Sequence, residues 1–129
     1  MFVSQPYHTD PRNNQCDKQE VAIQASFRSK MRMDAPHIML VGIPNSGKRT
    51  AWEARERSKE GMVPGFPDML AFHDGRVAAL EFKTGKGSLS DKQKDTLNRL
   101  VRQRIPVGVF RSPETAYEWL SNLWPSAFQ

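Results

Sequence analysis

The segment 66–83 contains the residues of this chain that are best suited to chemistry. Asp68 and Glu81 stand in two apolar runs that are separated by Asp74-Gly75. An Asp-Gly pair between two β-prone runs is typical of a two-residue hairpin, and a type I′ turn there places Asp68 directly opposite Glu81. Opposed residues of an antiparallel pair have Cβ atoms about 5 Å apart, so the two carboxylates repel each other unless a cation lies between them.

Either Lys83 or a divalent cation would supply that positive charge. Lys83 follows Glu81 by two positions and therefore lies on the same face of a strand. Carboxylate oxygens bind Mg²⁺ or Mn²⁺, and a bound ion neutralises a phosphate and lowers the pKa of a bound water. The pattern favours metal-assisted phosphodiester hydrolysis, in which Lys83 orients the nucleophile or stabilises the developing charge. The alternative is an exposed ion pair on a surface strand, which contributes little.

The elements that must position these residues are predicted from apolar periodicity and from helix boundary signals. Ile23, Phe27 and Met31 recur every four positions and indicate an amphipathic first helix, with Asp17 and Glu20 spaced as a capping box at its start. The pattern predicts, in order, a helix over 18–32, a strand over 37–41, a polar peripheral helix over 50–60, the two hairpin strands, a helix opened by 90–93, a strand over 105–110 and a last helix after Ser112.

Length and composition limit the organisation of the chain. With 129 residues and 38% hydrophobic residues, it is expected to form one domain over 16–125, preceded by a flexible N-terminal arm over 1–15. No apolar run reaches the length of a membrane span, and the single cysteine, Cys16, excludes an intrachain disulfide. Both features favour a cytoplasmic protein. The 19 basic residues exceed the 14 acidic ones, which favours a polyanionic partner such as DNA.

Several motifs together resemble a known nuclease family. Glu20 on an early helix, Pro67-Asp68, Glu81-Phe82-Lys83, and Ser90 with Gln93 at a helix start resemble the PD-(D/E)XK nuclease superfamily. The segments NSGKR (45–49), GMVPGFPD (61–68) and EFKTGKGSLSDKQ (81–93) are similar to the virus-type replication-repair nuclease (VRR-NUC) domain. The resemblance extends from about Glu20 to Ser112.

The resemblance implies an α/β, restriction-endonuclease-like PD-(D/E)XK core, a mixed β-sheet flanked by helices in the order α-β-α-β-β-α-β-α. Asp68, Glu81, Glu20 and the main-chain carbonyl of Phe82 become metal ligands for Mg²⁺ or Mn²⁺. Glu20, Asp68, Glu81, Lys83 and Gln93 together become the catalytic set, with Lys83 the catalytic lysine and Gln93 an orienting group. Glu20 and Gln93 also have a purely structural alternative, because each occupies a capping-box position.

The glycine-rich segment 42–48 has two interpretations. It resembles the first part of a nucleotide-binding P-loop, but Arg49 replaces the Ser or Thr that such a loop needs to bind Mg²⁺. In the nuclease interpretation this turn contacts DNA phosphates, with a solvated loop as the alternative. The candidate DNA-binding residues are Asn45, Lys48, Arg49, Lys86 and Lys92.

The resulting hypothesis is a Mg²⁺- or Mn²⁺-dependent endonuclease that cleaves branched DNA. Stand-alone members of the family resemble Holliday junction resolvases, so the resemblance implies a homodimer and hints at a phage or prophage protein acting in the bacterial cytoplasm or nucleoid. The alternative function is a non-catalytic DNA-binding module on the same fold, and a nucleotide-binding protein is a more remote one.

Overall fold

The central hairpin determines where the candidate site forms. The computed structural model describes residues 7–14, 19–44 and 50–128. Strands β3 (Met69–His73) and β4 (Arg76–Phe82) pair with the predicted register, from His73 opposite Arg76 to Met69 opposite Leu80. Asp74 and Gly75 have φ values of 48° and 75°, as a type I′ turn requires at both central positions. The hairpin prediction is confirmed.

Three further strands, β1 (His8–Thr9), β2 (Met39–Gly42) and β5 (Val107–Phe110), join the hairpin in one mixed sheet with the order β1-β5-β4-β3-β2. The parallel pairs are β1 with β5 and β5 with β4, and the antiparallel pairs are β4 with β3 and β3 with β2. The elements are β1 (His8–Thr9), α1 (Glu20–Asp34), β2 (Met39–Gly42), α2 (Ala51–Lys59), β3, β4, α3 (Asp91–Arg102), β5 (Val107–Phe110), α4 (Pro113–Leu123) and a short 3-10 helix (Pro125–Ala127). The predicted α/β class and element order are confirmed, with one strand and the 3-10 helix added.

The added strand lies in the segment that was expected to form a flexible arm. His8 and Thr9 pair in parallel with Gly108 and Val109, and Asp10 is buried directly after them. The expectation that residues 1–15 lie outside the fold is therefore wrong for 8–10. A two-residue strand has too few positions to show an alternating pattern, and its pairing partners are distant in the sequence.

The sheet has helices on both faces. Ala78, Leu80 and Phe82 of β4 pack in the larger core with α1 and α4, whereas Ala79 packs with Val107 and Val109 beneath α3. Because side chains alternate along a strand, Glu81 lies on the α3 side of the sheet. Among the residues that the structure describes, no helix is both long and apolar enough to cross a membrane.

Helix starts decide the positions of two candidate site residues. Gln19 is the N-cap of α1 and makes no side-chain capping bond, so Glu20 is the first helical residue and not the third. The capping box predicted for Asp17 and Glu20 is therefore not formed in this way, and Asp17 itself lies outside the described residues. The capping box of α3, between Ser90 and Gln93, is confirmed. Helix α2 has no buried residue and is peripheral, as predicted.

Candidate active site

Three carboxylates from three different parts of the chain meet where β3 starts and β4 ends. Glu20 begins α1, Asp68 directly precedes β3, and Glu81 lies near the end of β4. One carboxylate oxygen from each residue lies within 4.8 Å of the other two. The tertiary structure therefore brings together the acidic residues that the sequence selected.

Asp68 is held from both sides of its strand. Its Oδ2 accepts a hydrogen bond of 2.8 Å from the main-chain N–H of Phe82, and its main-chain oxygen accepts one of 2.8 Å from Ile43 N–H. The first bond joins Asp68 to β4, which carries Glu81, and the second joins it to the residue after β2. These two hydrogen bonds hold the Asp68 carboxylate in place beside Glu81.

Glu81 is buried, with 2% of its side chain exposed, and its two oxygens have different surroundings. Oε2 accepts a hydrogen bond of 3.3 Å from Gln93 Nε2 and lies 3.9 Å from Lys83 Nζ. Oε1 has no hydrogen-bond partner among the described residues. When Glu81 is protonated, a hydrogen bond between the Glu81 and Asp68 side chains contributes to its raised pKa. When Glu81 is ionised, Oε1 is left for a cation that the protein does not supply.

Gln93 performs two tasks at once. Its Oε1 accepts a hydrogen bond of 2.8 Å from Ser90 N–H and completes the capping box, while its Nε2 donates to Glu81. The sequence predicted that capping and a role at the site could coexist in Gln93. Because the amide has a separate acceptor and donor, one side chain makes both hydrogen bonds.

The electrostatics of the cluster favour a bound cation. Burial, reinforced by the charge of Asp68 and opposed by Lys83, raises the pKa of Glu81 to about 9. Burial also raises the pKa of Asp68, against the opposing hydrogen bond from Phe82, and raises that of Glu20. Within the described part of the chain, Lys83 is the one cation that acts on all three carboxylates, so their ionised forms are costly until more positive charge is present.

The donor set fits a hard divalent ion. Mg²⁺ and Mn²⁺ prefer carboxylate and carbonyl oxygens, and the cluster offers three carboxylates, one of which has an unpaired buried oxygen. A cleft of about 330 Å³ opens beside Glu20 and Asp68 and leaves room for a ligand next to them. Its walls are formed by Gln19, Glu20, Val21, Gln24, Ile43 and Asp68.

The candidate DNA-binding residues fall into two groups. Lys86 and Lys92 are exposed, the first in the loop after β4 and the second in the first turn of α3. Asn45, Lys48 and Arg49 lie outside the described residues. The P-loop-like interpretation of 42–48 rests on the same segment, which the structure describes only as far as Pro44.

Sequence reasoning missed two buried charged residues near this site. Asp10 and Arg111 are 6% and 4% exposed and are joined by hydrogen bonds of 2.9 Å and 3.0 Å. A charged residue directly after the apolar run 107–110 was the one available signal for Arg111. No sequence pattern indicated that Asp10 is buried, because the strand that precedes it has only two residues.

Comparisons with known proteins agree on the fold. A family model described as the VRR-NUC domain matches residues 15–114. A solved structure described as a VRR_NUC domain protein has a TM-score of 0.65 to this chain at 15% sequence identity, over 84% of this chain and 89% of that one. No curated protein matches the sequence. The predicted restriction-endonuclease-like architecture is confirmed.

Proposed function

Because the chain belongs to the VRR-NUC domain family, we propose that it is a divalent-metal-dependent endonuclease that hydrolyses phosphodiester bonds in branched DNA. The observation that carries the proposal is the cluster of three carboxylates from three elements, with oxygens within 4.8 Å of one another around the buried Glu81. Such an arrangement is costly in a protein that uses it only for structure, because like charges that are brought together at a buried site oppose folding.

Asp68, Glu81, Glu20 and the main-chain carbonyl of Phe82 are the proposed ligands for Mg²⁺ or Mn²⁺. When bound, the ion neutralises the phosphate and lowers the pKa of a water, which is the usual contribution of metals to this reaction. In the proposed hydrolysis, water would attack phosphorus in line, the P–O3′ bond would break, and protonation of the leaving oxygen would give a 3′-hydroxyl and a 5′-phosphate.

Lys83 and Gln93 have complementary proposed roles. The Lys83 side chain is 13% exposed and its ammonium lies beside Glu81, where it orients the attacking water or stabilises charge on the phosphate. Gln93 holds Glu81 Oε2, so that Oε1 stays turned to the ligand. A fixed carboxylate needs little reorganisation during the reaction.

DNA is proposed to bind through its phosphates. Asn45, Lys48, Arg49, Lys86 and Lys92 are the proposed contacts. Contacts to phosphate carry no base sequence information, so a site built on them selects the shape of DNA. The part of the chain that the structure describes contains one such carboxylate cluster, and paired cuts across a two-fold symmetric junction therefore call for a homodimer.

A cleavage panel tests the proposal. Purified protein is incubated with a four-way junction, a flap, a linear duplex and a single strand, each with Mg²⁺, Mn²⁺ or EDTA. We expect metal-dependent cleavage that is fastest on the branched substrates and lost in Lys83→Ala. Lys30→Ala is the matched control, because Lys30 lies over the Tyr117 ring and away from the site. If the wild-type protein leaves all four substrates intact with both ions, the proposed activity is wrong.

A further inference from the structure

Arg111 is a buried cation that the proposed chemistry leaves without a role. It directly follows β5, and its guanidinium donates to main-chain oxygens of the loop that joins β4 to α3. Nη1 lies 2.6 Å from Thr84 O, 2.5 Å from Gly87 O and 3.4 Å from Gly85 O. Three carbonyls of one loop therefore converge on a single guanidinium nitrogen.

This convergence makes the loop dependent on Arg111. Carbonyl groups that point into a protein need donors, and hydrogen bonds from a charged donor are stronger than neutral ones. A lysine at this position offers a point charge but not the planar fork of guanidinium. The loop also closes on itself through Gly87 N–H, which donates to Thr84 Oγ1 and Thr84 O, and Arg111 adds donors from 24 to 27 positions away in the sequence.

Asp10 holds Arg111 in turn. The main-chain oxygen of Asp10 accepts from Arg111 Nε at 3.0 Å, and Asp10 Oδ2 accepts from the Arg111 main-chain N–H at 2.9 Å and from the Thr115 hydroxyl. The segment after β1 also reaches the loop directly, through Asn13 N–H to Gly85 O at 2.8 Å and Arg12 Nε to Lys86 O at 3.1 Å.

The loop in turn lies against Lys83. A Cβ placed on Gly87 would lie 3.6 Å from Lys83 Cδ and 3.1 Å from Thr84 Oγ1, so the Gly87 backbone lies near the aliphatic part of the lysine, with room for one methyl group between them. The main-chain N–H of Lys83 donates to Phe110 O at 2.9 Å. Because strand β5 already holds the Lys83 backbone, the loop can influence only the direction of the Lys83 side chain. The far end of that side chain is the ammonium beside Glu81.

We propose that Arg111, anchored by Asp10, is a positioning residue that orders the loop 84–87 and thereby holds the Lys83 ammonium at the carboxylate cluster. The proposal rests on the proposed function, in which Lys83 acts on the phosphate or the water. It also assigns a role to the N-terminal segment, since β1 places Asp10 where it holds Arg111.

Arg111→Lys is the principal test, because it keeps the positive charge and removes the planar fork. Hydrogen exchange is followed by mass spectrometry on peptides that cover 83–89, and cleavage of a four-way junction is measured in parallel at saturating Mn²⁺. We expect faster exchange in this loop than in the wild type. We also expect a kcat about 10- to 100-fold lower with little change in KM, since small displacements of a catalytic group have effects of this size.

Gly87→Ala is a second test of the loop, because it alters the contact with Lys83 and leaves every buried charge unchanged. Its added methyl group makes a tight contact with Thr84 Oγ1 and meets the Lys83 side chain, so we expect a lower kcat while Arg111 and Asp10 are intact. Leu120→Val is the matched control. It weakens the core at a fully buried position of α4 and is expected to lower thermal stability without changing loop exchange or kcat.

Three results would overturn the positioning role. They are unchanged loop exchange and kcat in Arg111→Lys, a lower kcat without faster loop exchange, or an equal loss of kcat in Leu120→Val. An inactive wild-type protein instead contradicts the proposed function. In that case the exchange measurement still shows whether Arg111 orders the loop, so the two failures are distinguishable.

Discussion

The structure contains two buried charged clusters that are built on opposite principles. Around Asp10 and Arg111, both carboxylate oxygens and the guanidinium have hydrogen-bond partners. Around Glu81, two further carboxylates lie close by, and one buried oxygen has no partner among the described residues. The two clusters are nevertheless connected, through the loop that Arg111 holds and Lys83 begins.

The difference separates a structural use of buried charge from a functional one. A buried charged group that is fully paired can stabilise one conformation, whereas like charges at an unpaired oxygen oppose folding until a cation binds. Loss of a partner should therefore damage the first cluster. Removal of a charge from the second should abolish activity without harming the fold.

Among the substitutions, Asp10→Ala is expected to have the largest effect, which is a loss of stability. The change removes the side-chain acceptor of the Arg111 main-chain N–H and one acceptor of the Thr115 hydroxyl, and it removes the carboxylate whose charge acts on the buried guanidinium. We expect the free energy of unfolding to fall by about 3 kcal/mol, measured by urea denaturation. Asp91→Ala, at an exposed residue, is the control, and an equal effect of both substitutions would contradict the comparison.

Glu81→Gln, in contrast to Asp10→Ala, should lower activity and leave stability intact. Substitution of groups that support a metal ligand typically costs 10- to 100-fold in activity, so loss of a ligand is expected to lower kcat at least about 100-fold. The metal-free variant should unfold at a temperature no lower than that of the wild type, because a neutral amide avoids the cost of protonating the Glu81 carboxylate on folding. Calorimetry in EDTA and junction cleavage measure the two quantities. Glu118→Gln, at an exposed position of α4, should change neither.

Gln93→Glu separates the two tasks of Gln93. Glutamate retains the capping box but replaces the donor to Glu81 with another carboxylate. We expect about a 10-fold loss of activity and little loss of helix stability. Ser90→Ala should reverse the pattern, since it removes the cap and keeps the donor, and should cost about 1 kcal/mol. Equal activity losses in the two variants would show that the Glu81 contact has no separate role.

A further expected effect is a pH dependence of stability in EDTA. The pKa of Glu81 is raised by burial from 4.5 to about 9, so between these values the folded protein holds a proton that the unfolded chain releases. The stabilising contribution is complete below about pH 4.5 and is lost as the pH rises towards 9. Melting temperatures at pH 5 and pH 8 should therefore differ more in the wild type than in Glu81→Gln, and Mn²⁺ should restore more stability at pH 8. Identical slopes in the two proteins would contradict this assignment.

Local signals were sufficient for most of the fold. The Asp74-Gly75 turn, the Ser90–Gln93 capping box and the Ser112-Pro113 helix start each depend on residues that are close in the sequence. The prediction was wrong where local signals were absent or ambiguous. The strand His8–Thr9 is stabilised by pairing with β5, about 100 residues later. Helix α1 begins at Glu20, and its N-cap Gln19 lacks the capping bond that the spacing suggested.

The sequence by itself determined which residues could do chemistry at the hairpin, because turn type sets register and register places Asp68 beside Glu81. Only the tertiary structure decided the rest of the site. It brought Glu20 in from α1, left one oxygen of Glu81 unpaired and linked Asp10 and Arg111 to the loop after Lys83. These features depend on how helices and distant segments pack on the sheet. The distances and burial that result from this packing cannot be predicted from local sequence patterns.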